Sequence, residues 1–174
     1  MHPTTSPLLL TANALPTPVG QAVLQLARSL RTMSRSGALP PLLDGKHLGL
    51  LSADRHNASQ GVVAHAARGL GARVAWVPPL AVAPDNVAQI RDTARLLGRC
   101  YDALDCDGLP AELVQCLHRD SGVPVYDGLG RHDHPVAQLL PHLDGEQTQA
   151  TGAPAGGDDG HHLLLQAMLV HTLL

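Results

Sequence analysis

Two short runs hold most of the reactive side chains. Residues 52–60, Ser-Ala-Asp-Arg-His-Asn-Ala-Ser-Gln, bring together carboxylate, guanidinium, imidazole, amide and hydroxyl groups. Residues 132–135, His-Asp-His-Pro, offer two imidazoles around one carboxylate. In the first run Asn57, Ser59 and Gln60 supply neutral donors and acceptors, Arg55 a charge and His56 a titratable group. In the second, His134 is the candidate acid or base. A plainer role exists for the first run: Asn57 as a helix N-cap with Gln60 at the third helical position, a capping-box variant. His132, Asp133 and His134, joined by His56, would suit zinc chemically. Their spacing matches no strong metal motif, so no metal is expected, and solvated surface is the expectation for His161 and His162.

The cysteines are Cys100, Cys106 and Cys116. Their number is odd and their spacing is not that of zinc ligands. They are expected to be reduced thiols, with Cys100 and Cys116 on buried helix faces. Cys106 lies between Asp105 and Asp107. Neighbouring carboxylates raise a thiol pKa, which argues against a nucleophile there.

The elements that must position these groups are readable from periodicity. Leu48 to Leu51 is an apolar strand, and the polar run 52–57 is a turn. A helix follows, with Val62, Val63, Ala66, Ala67 and Leu70 on one stripe. Gly71 stops it and Arg73 to Val77 is the next strand. In such a βαβ unit the helix N-terminus lies at the C-terminal edge of the sheet, where anions bind. Upstream, residues 1–16 read as irregular, and Thr17-Pro18 starts a helix with Val19, Val23, Leu26, Ala27, Leu30 and Met33 inward. Downstream come a Pro-rich loop (78–84), a helix capped by Asp85 and carrying Ile90, Ala94 and Leu97, and a strand over 101–106. A helix opened by Pro110, a strand over 123–126 and a helix after Pro135 follow. Residues 144–160 are rich in Gly, Asp, Gln and Thr, the composition of a flexible linker, and 161–174 form an apolar helix. Alternating strands and helices predict an α/β fold, a three-layer, doubly wound sheet of about four parallel strands.

Composition narrows the function. The chain has 174 residues, net charge −3, no Phe and one Trp. One domain with a Leu, Val and Ala core is expected. No basic block is present, so neither nucleic acid nor an acidic membrane surface is an expected partner. No apolar run reaches spanning length, no leader pattern is visible, and the expected location is cytoplasmic.

Several segments, in order, resemble the ornithine/aspartate carbamoyltransferase family. LPPLLDGKHLGLL (39–51) resembles the entry to its first strand, DTARLLGRCYDAL (92–104) its D-T-A-R-V-L segment, and VPVYDGLGRHDHP (123–135) its V-P-V-I-N-G-L run and H-P pair. HHLLLQAMLVHTLL (161–174) resembles its final helix. The resemblance implies a carbamoyl-phosphate-binding domain over 1–143, residues 144–160 standing where the amino-acid domain would be, and 161–174 packing back. It also implies a homotrimer, with an active carbamoyltransferase or a dihydroorotase as a possible partner, and no cofactor.

The family's phosphate motif S-T-R-T-R falls on His56, Asn57, Ala58, Ser59 and Gln60, so both arginines are missing. A further family arginine falls on Asp107, and the family's H-P-x-Q glutamine on Ala137, with Gln138 one residue late. Each hydrogen bond to a charged group contributes roughly 1.5–3 kcal/mol. Losing three guanidinium partners therefore removes about three or more decades of affinity. The resemblance thus implies an inactive carbamoyltransferase homologue with a structural, regulatory or ligand-binding role. Two other readings are a small enzyme using His134 with Asn57, Ser59 or Gln60, and residual transferase activity with a partner chain. The helix dipole and its N–H groups would still leave weak sulfate or phosphate binding.

Overall fold

The structure is a computed structural model describing residues 9–10, 17–54, 57–78, 87–143 and 157–174. Five parallel strands form one sheet: β1 (Leu9–Leu10), β2 (His47–Ser52), β3 (Arg73–Val77), β4 (Ala103–Asp107) and β5 (Val125–Asp127). Their spatial order is β1-β5-β4-β2-β3. The helices are α1 (Thr17–Arg35), α2 (Ala58–Gly69), α3 (Val87–Cys100), α4 (Ala111–Ser121), α5 (Leu140–Leu143) and α6 (Gly157–Leu173). From β2 the chain crosses outward to β3, then returns to the other side of β2 for β4. The switch point is therefore the β2–β4 crevice, where open parallel sheets take ligands.

Side chains alternate across each strand, and the two faces carry separate cores. Leu48, Leu50, Ala103 and Tyr126 face α1, α2 and α6, with Val23, Ala27, Leu30, Ala66 and Met168. Leu51, Leu104, Cys106 and Val125 face α3 and α4, with Ile90, Ala94, Val114 and Leu117. This is the expected three-layer architecture with a Leu, Val and Ala core. It is widened by β1, a two-residue strand in the stretch read as irregular, where Leu9 and Leu10 pair with Val125 and Tyr126.

Several boundaries shift for identifiable reasons. The strand expected over 101–106 is 103–107, because Tyr101 N–H still bonds Leu97 O in helical fashion and Asp102 turns the chain through His47. The strand expected over 123–126 is 125–127; Pro124 has no N–H to give a ladder. After Pro135 there is a 3-10 turn over Ala137–Leu139 and then α5. The final helix starts at Gly157, not His161. Gly160 lies against α5, where a Cβ would stand 2.6 Å from Leu140 Cδ1. The Asp85 cap and most of the 78–84 loop lie outside the described residues.

Three burial expectations fail. His161, expected at the solvated surface, is buried. Val62 is 38% exposed, and Ala64 takes the inward place in its stripe. Cys100 is exposed, whereas Cys116 is buried as expected. The α6 segment is buried nearly all round, from Leu164 to Val170, against α1 and α2. Fully burying a Leu or Met side chain contributes about 1.5–3 kcal/mol, so α6 is integral to this core. Among the described residues no helix is long and apolar enough to cross a membrane.

Candidate functional site

Parallel pairing sets Ser52 beside Asp107, and Cys106 beside Asp127, at the C-terminal edge of the sheet. The helix after β2 starts there. Asn57 is its N-cap: Oδ1 accepts from Ser59 N at 3.0 Å and Gln60 N at 3.3 Å, while Gly61 N bonds Asn57 O at 3.1 Å. The Asn57 cap thus occupies two of the first-turn donors, Ser59 N and Gln60 N, while Gly61 N makes the first helical bond. The weak anion site expected from free N–H groups loses those two donors.

The side-chain donors are committed as well. Asn57 Nδ2 donates to Asp107 Oδ2 at 2.8 Å and to Ser52 Oγ at 3.4 Å. The single Ser59 hydroxyl proton lies between two acceptors, Asn57 Oδ1 at 2.8 Å and Asp107 Oδ2. A carboxylate of the chain itself therefore holds the groups that would address an incoming anion. Sequence reasoning singled out Asp107 as a lost arginine. Its role as acceptor for Asn57 and Ser59 had no signal, because the contact depends on strand register.

Gln60 behaves differently from the expected capping box. Its side chain is fully buried, and Nε2 donates to Leu51 O and Asp105 O, each at 3.0 Å. It ties β2 to β4 instead of returning to the Asn57 backbone. Asp105, missed as a site residue, is fully buried nearby, and its Oδ1 accepts from Leu129 N at 3.0 Å. Gln60 Oε1 and Asp105 Oδ2 have no hydrogen-bond partner among the described residues. Burial, opposed by the Leu129 N–H and reinforced by Asp107 and Asp127, pushes the Asp105 carboxyl up to about 7. Asp127 is also raised, chiefly by burial. The Cys106 thiol is raised well above its ordinary value, mainly by burial and then by these carboxylates, so a thiolate is disfavoured there.

The loop after β5 closes the site from above. Gly130 sits directly on the first turn of α2; a Cβ there would lie 2.1 Å from Ser59 O. Arg131 and Asp133 pair with each other at 2.6 Å and are exposed. Beside them is an open depression of about 460 Å³, lined by Ser59, Val62, His132 and the Arg131–Asp133 pair. His134 is buried, and its Nδ1 accepts from Val136 N at 3.2 Å, which fixes the ring within its own loop. The structure thus brings Asn57, Ser59 and Gln60 together around β2 and β4. Arg55 and His56 lie outside the described residues. Gln138 is exposed. His132, Asp133 and His134 do not converge; among the described residues no three His, Cys, Asp or Glu side chains form a metal-binding group. A larger cavity, about 600 Å³, lies away from the sheet edge, between Arg31 and Arg35 of α1, Gly69, and Asp159, His162 and Gln166 of α6.

Residues 9–143 match the family described as aspartate/ornithine carbamoyltransferase, carbamoyl-P binding domain. Catabolic ornithine carbamoyltransferases of Burkholderia mallei and Burkholderia pseudomallei are 35% identical over 117 residues, which is 67% of this chain and 35% of each relative. Among solved structures, ornithine carbamoyltransferase from Pyrococcus furiosus superposes with a TM-score of 0.66 at 21% identity, covering 82% of this chain and 46% of that one. The catalytic subunit of M. jannaschii aspartate transcarbamoylase gives 0.62 at 19% identity, covering 80% and 46%. The chain therefore spans about a third of the curated relatives' length and just under half of these structures' length.

Proposed function

As the chain belongs to the aspartate/ornithine carbamoyltransferase family, we propose that it is a carbamoyltransferase-like protein that does not transfer carbamoyl groups and serves as a structural or regulatory subunit. The observation that carries this is the Asp107 carboxylate, which accepts hydrogen bonds from Asn57 Nδ2 and Ser59 Oγ at the N-terminus of α2. A phosphate at that helix end would lie next to a fixed negative charge. Two unit charges 4 Å apart repel by about 4 kcal/mol at an effective dielectric of 20. That is about three decades of affinity, in addition to the missing guanidinium partners. Ser59 and Asn57 also cannot turn to a ligand without abandoning Asp107.

Isothermal titration with carbamoyl phosphate tests the reading. No saturable heat is expected up to millimolar ligand, and micromolar binding would overturn it. The Asp107→Asn variant removes the repulsion and is expected to bind phosphate more tightly than the parent chain.

The same reading makes the protein a self-associating subunit, a homotrimer that also docks on an active carbamoyltransferase or a dihydroorotase. Support for an interaction role comes from Leu96 of α3, an apolar side chain 59% exposed, and from Trp76 on β3, at the end of the strand order, 38% exposed with the Arg68 guanidinium over its ring at 5.2 Å. Sedimentation velocity on the purified chain checks it; a monomer at tens of micromolar would remove the trimer from the proposal.

A further inference from the structure

The eleven histidines include one pair whose geometry the proposed role does not use. His65, exposed on α2, and His162, half-buried on α6, have ring centroids 5.0 Å apart with planes tilted by 50°. Imidazole nitrogen binds zinc at about 2.0–2.1 Å. Adding roughly 1.1 Å from that nitrogen to the ring centre puts each centroid about 3.2 Å from a shared ion. Ligand angles between about 90° and 109° then require centroids about 4.5–5.2 Å apart. The observed separation falls inside that interval. The neighbouring pair, His132 and His161, does not share this geometry: its rings are 5.5 Å apart and stacked at 30°, so their nitrogens lie in nearly parallel planes.

We propose that His65 and His162 form a two-histidine clamp for a borderline divalent ion of the zinc, nickel or copper class, fastening α6 to α2. Imidazole ligands select this class over magnesium or calcium. The frame is already rigid: Ala66 and Ala67 of α2 and Gln166 of α6 are buried around it, and Gln166 Nε2 donates to Ala66 O at 3.4 Å. His65 is exposed, so an ion reaches the pair from solvent on the α2 side. Asp159, one helical turn before His162, adds a favourable negative field for a cation. Two protein ligands leave the remaining positions to water, in keeping with the absence of any convergent set of three among the described residues.

The test is zinc titration of the EDTA-stripped full chain by calorimetry, paired with thermal unfolding. One equivalent is expected to bind in the micromolar range and to raise the unfolding midpoint, because an ion held only by the folded state stabilises it. His65→Ala and His162→Ala should each weaken binding at least tenfold and abolish the thermal shift, while His132→Ala leaves both unchanged. His65 is exposed, so its replacement keeps the fold and the result interpretable. No saturable binding by the parent chain, or binding that survives His65→Ala, would overturn the clamp.

Discussion

Replacing Asp105 by asparagine should stabilise this protein at neutral and alkaline pH and remove part of its pH dependence. The carboxyl is fully buried, and burial raises it from 3.8 to about 7. Between those values the folded state keeps the proton and the unfolded state has released it. Stability from this group is therefore fully present below about pH 4, falls as pH rises, and levels off above about pH 7. At 1.36 kcal/mol per decade of proton activity, the total is about 4 kcal/mol. Asparagine is neutral throughout, and its Oδ1 retains the acceptor that Leu129 N uses. Gln60 has committed Nε2 to Leu51 O and Asp105 O, leaving Oε1 without a donor. Urea unfolding of both proteins at pH 5 and pH 8 measures the effect. The advantage of Asp105→Asn over the parent should widen by about 3 kcal/mol across that interval. His162 and His118, whose pKa values burial lowers, act in the opposite direction but are common to both proteins and cancel in the difference. An advantage that is the same at both pH values, or a variant less stable than the parent at pH 8, would refute the reasoning.

Gly130→Ala should cost about 3 kcal/mol or more, since the added methyl meets the Ser59 carbonyl at 2.1 Å and backbone must move; urea midpoints measure it. Asn57→Ala should cost about 1 kcal/mol through loss of the α2 cap, with a further penalty from leaving Asp107 only the Ser59 hydroxyl of its two donors, read by the same unfolding curves. A thiol reagent should label Cys100 rapidly in the native protein and Cys106 only after denaturation, because Cys106 is buried and its thiolate disfavoured; peptide mass mapping separates them.

Much of the scaffold follows from local patterns. The helix over 17–35 announces itself by Thr17-Pro18 and an apolar stripe at helical spacing, and that stripe is where Val23, Ala27 and Leu30 are buried. The βαβ unit from β2 to β3 reads correctly because a short apolar run, an Asx cap and a Gly stop each depend on nearest neighbours. Boundaries shift where a distant partner intervenes, as when Gly160 fits against Leu140 and the last helix starts inside a stretch of linker-like composition.

The sequence by itself determined that the arginines of the phosphate motif are replaced, and that Asn57 caps a helix where an anion would otherwise dock. Only the tertiary structure decided what took over the vacated interactions. Strand register sets Ser52 against Asp107 across fifty-five residues of chain, and with it the contacts of Asp107 to Asn57 and Ser59. The inward turn of Gln60, the burial of Asp105 and the approach of His65 to His162 are of the same kind. Each joins residues on different elements, and local propensity carries no information about which side chains the sheet order and helix packing bring face to face.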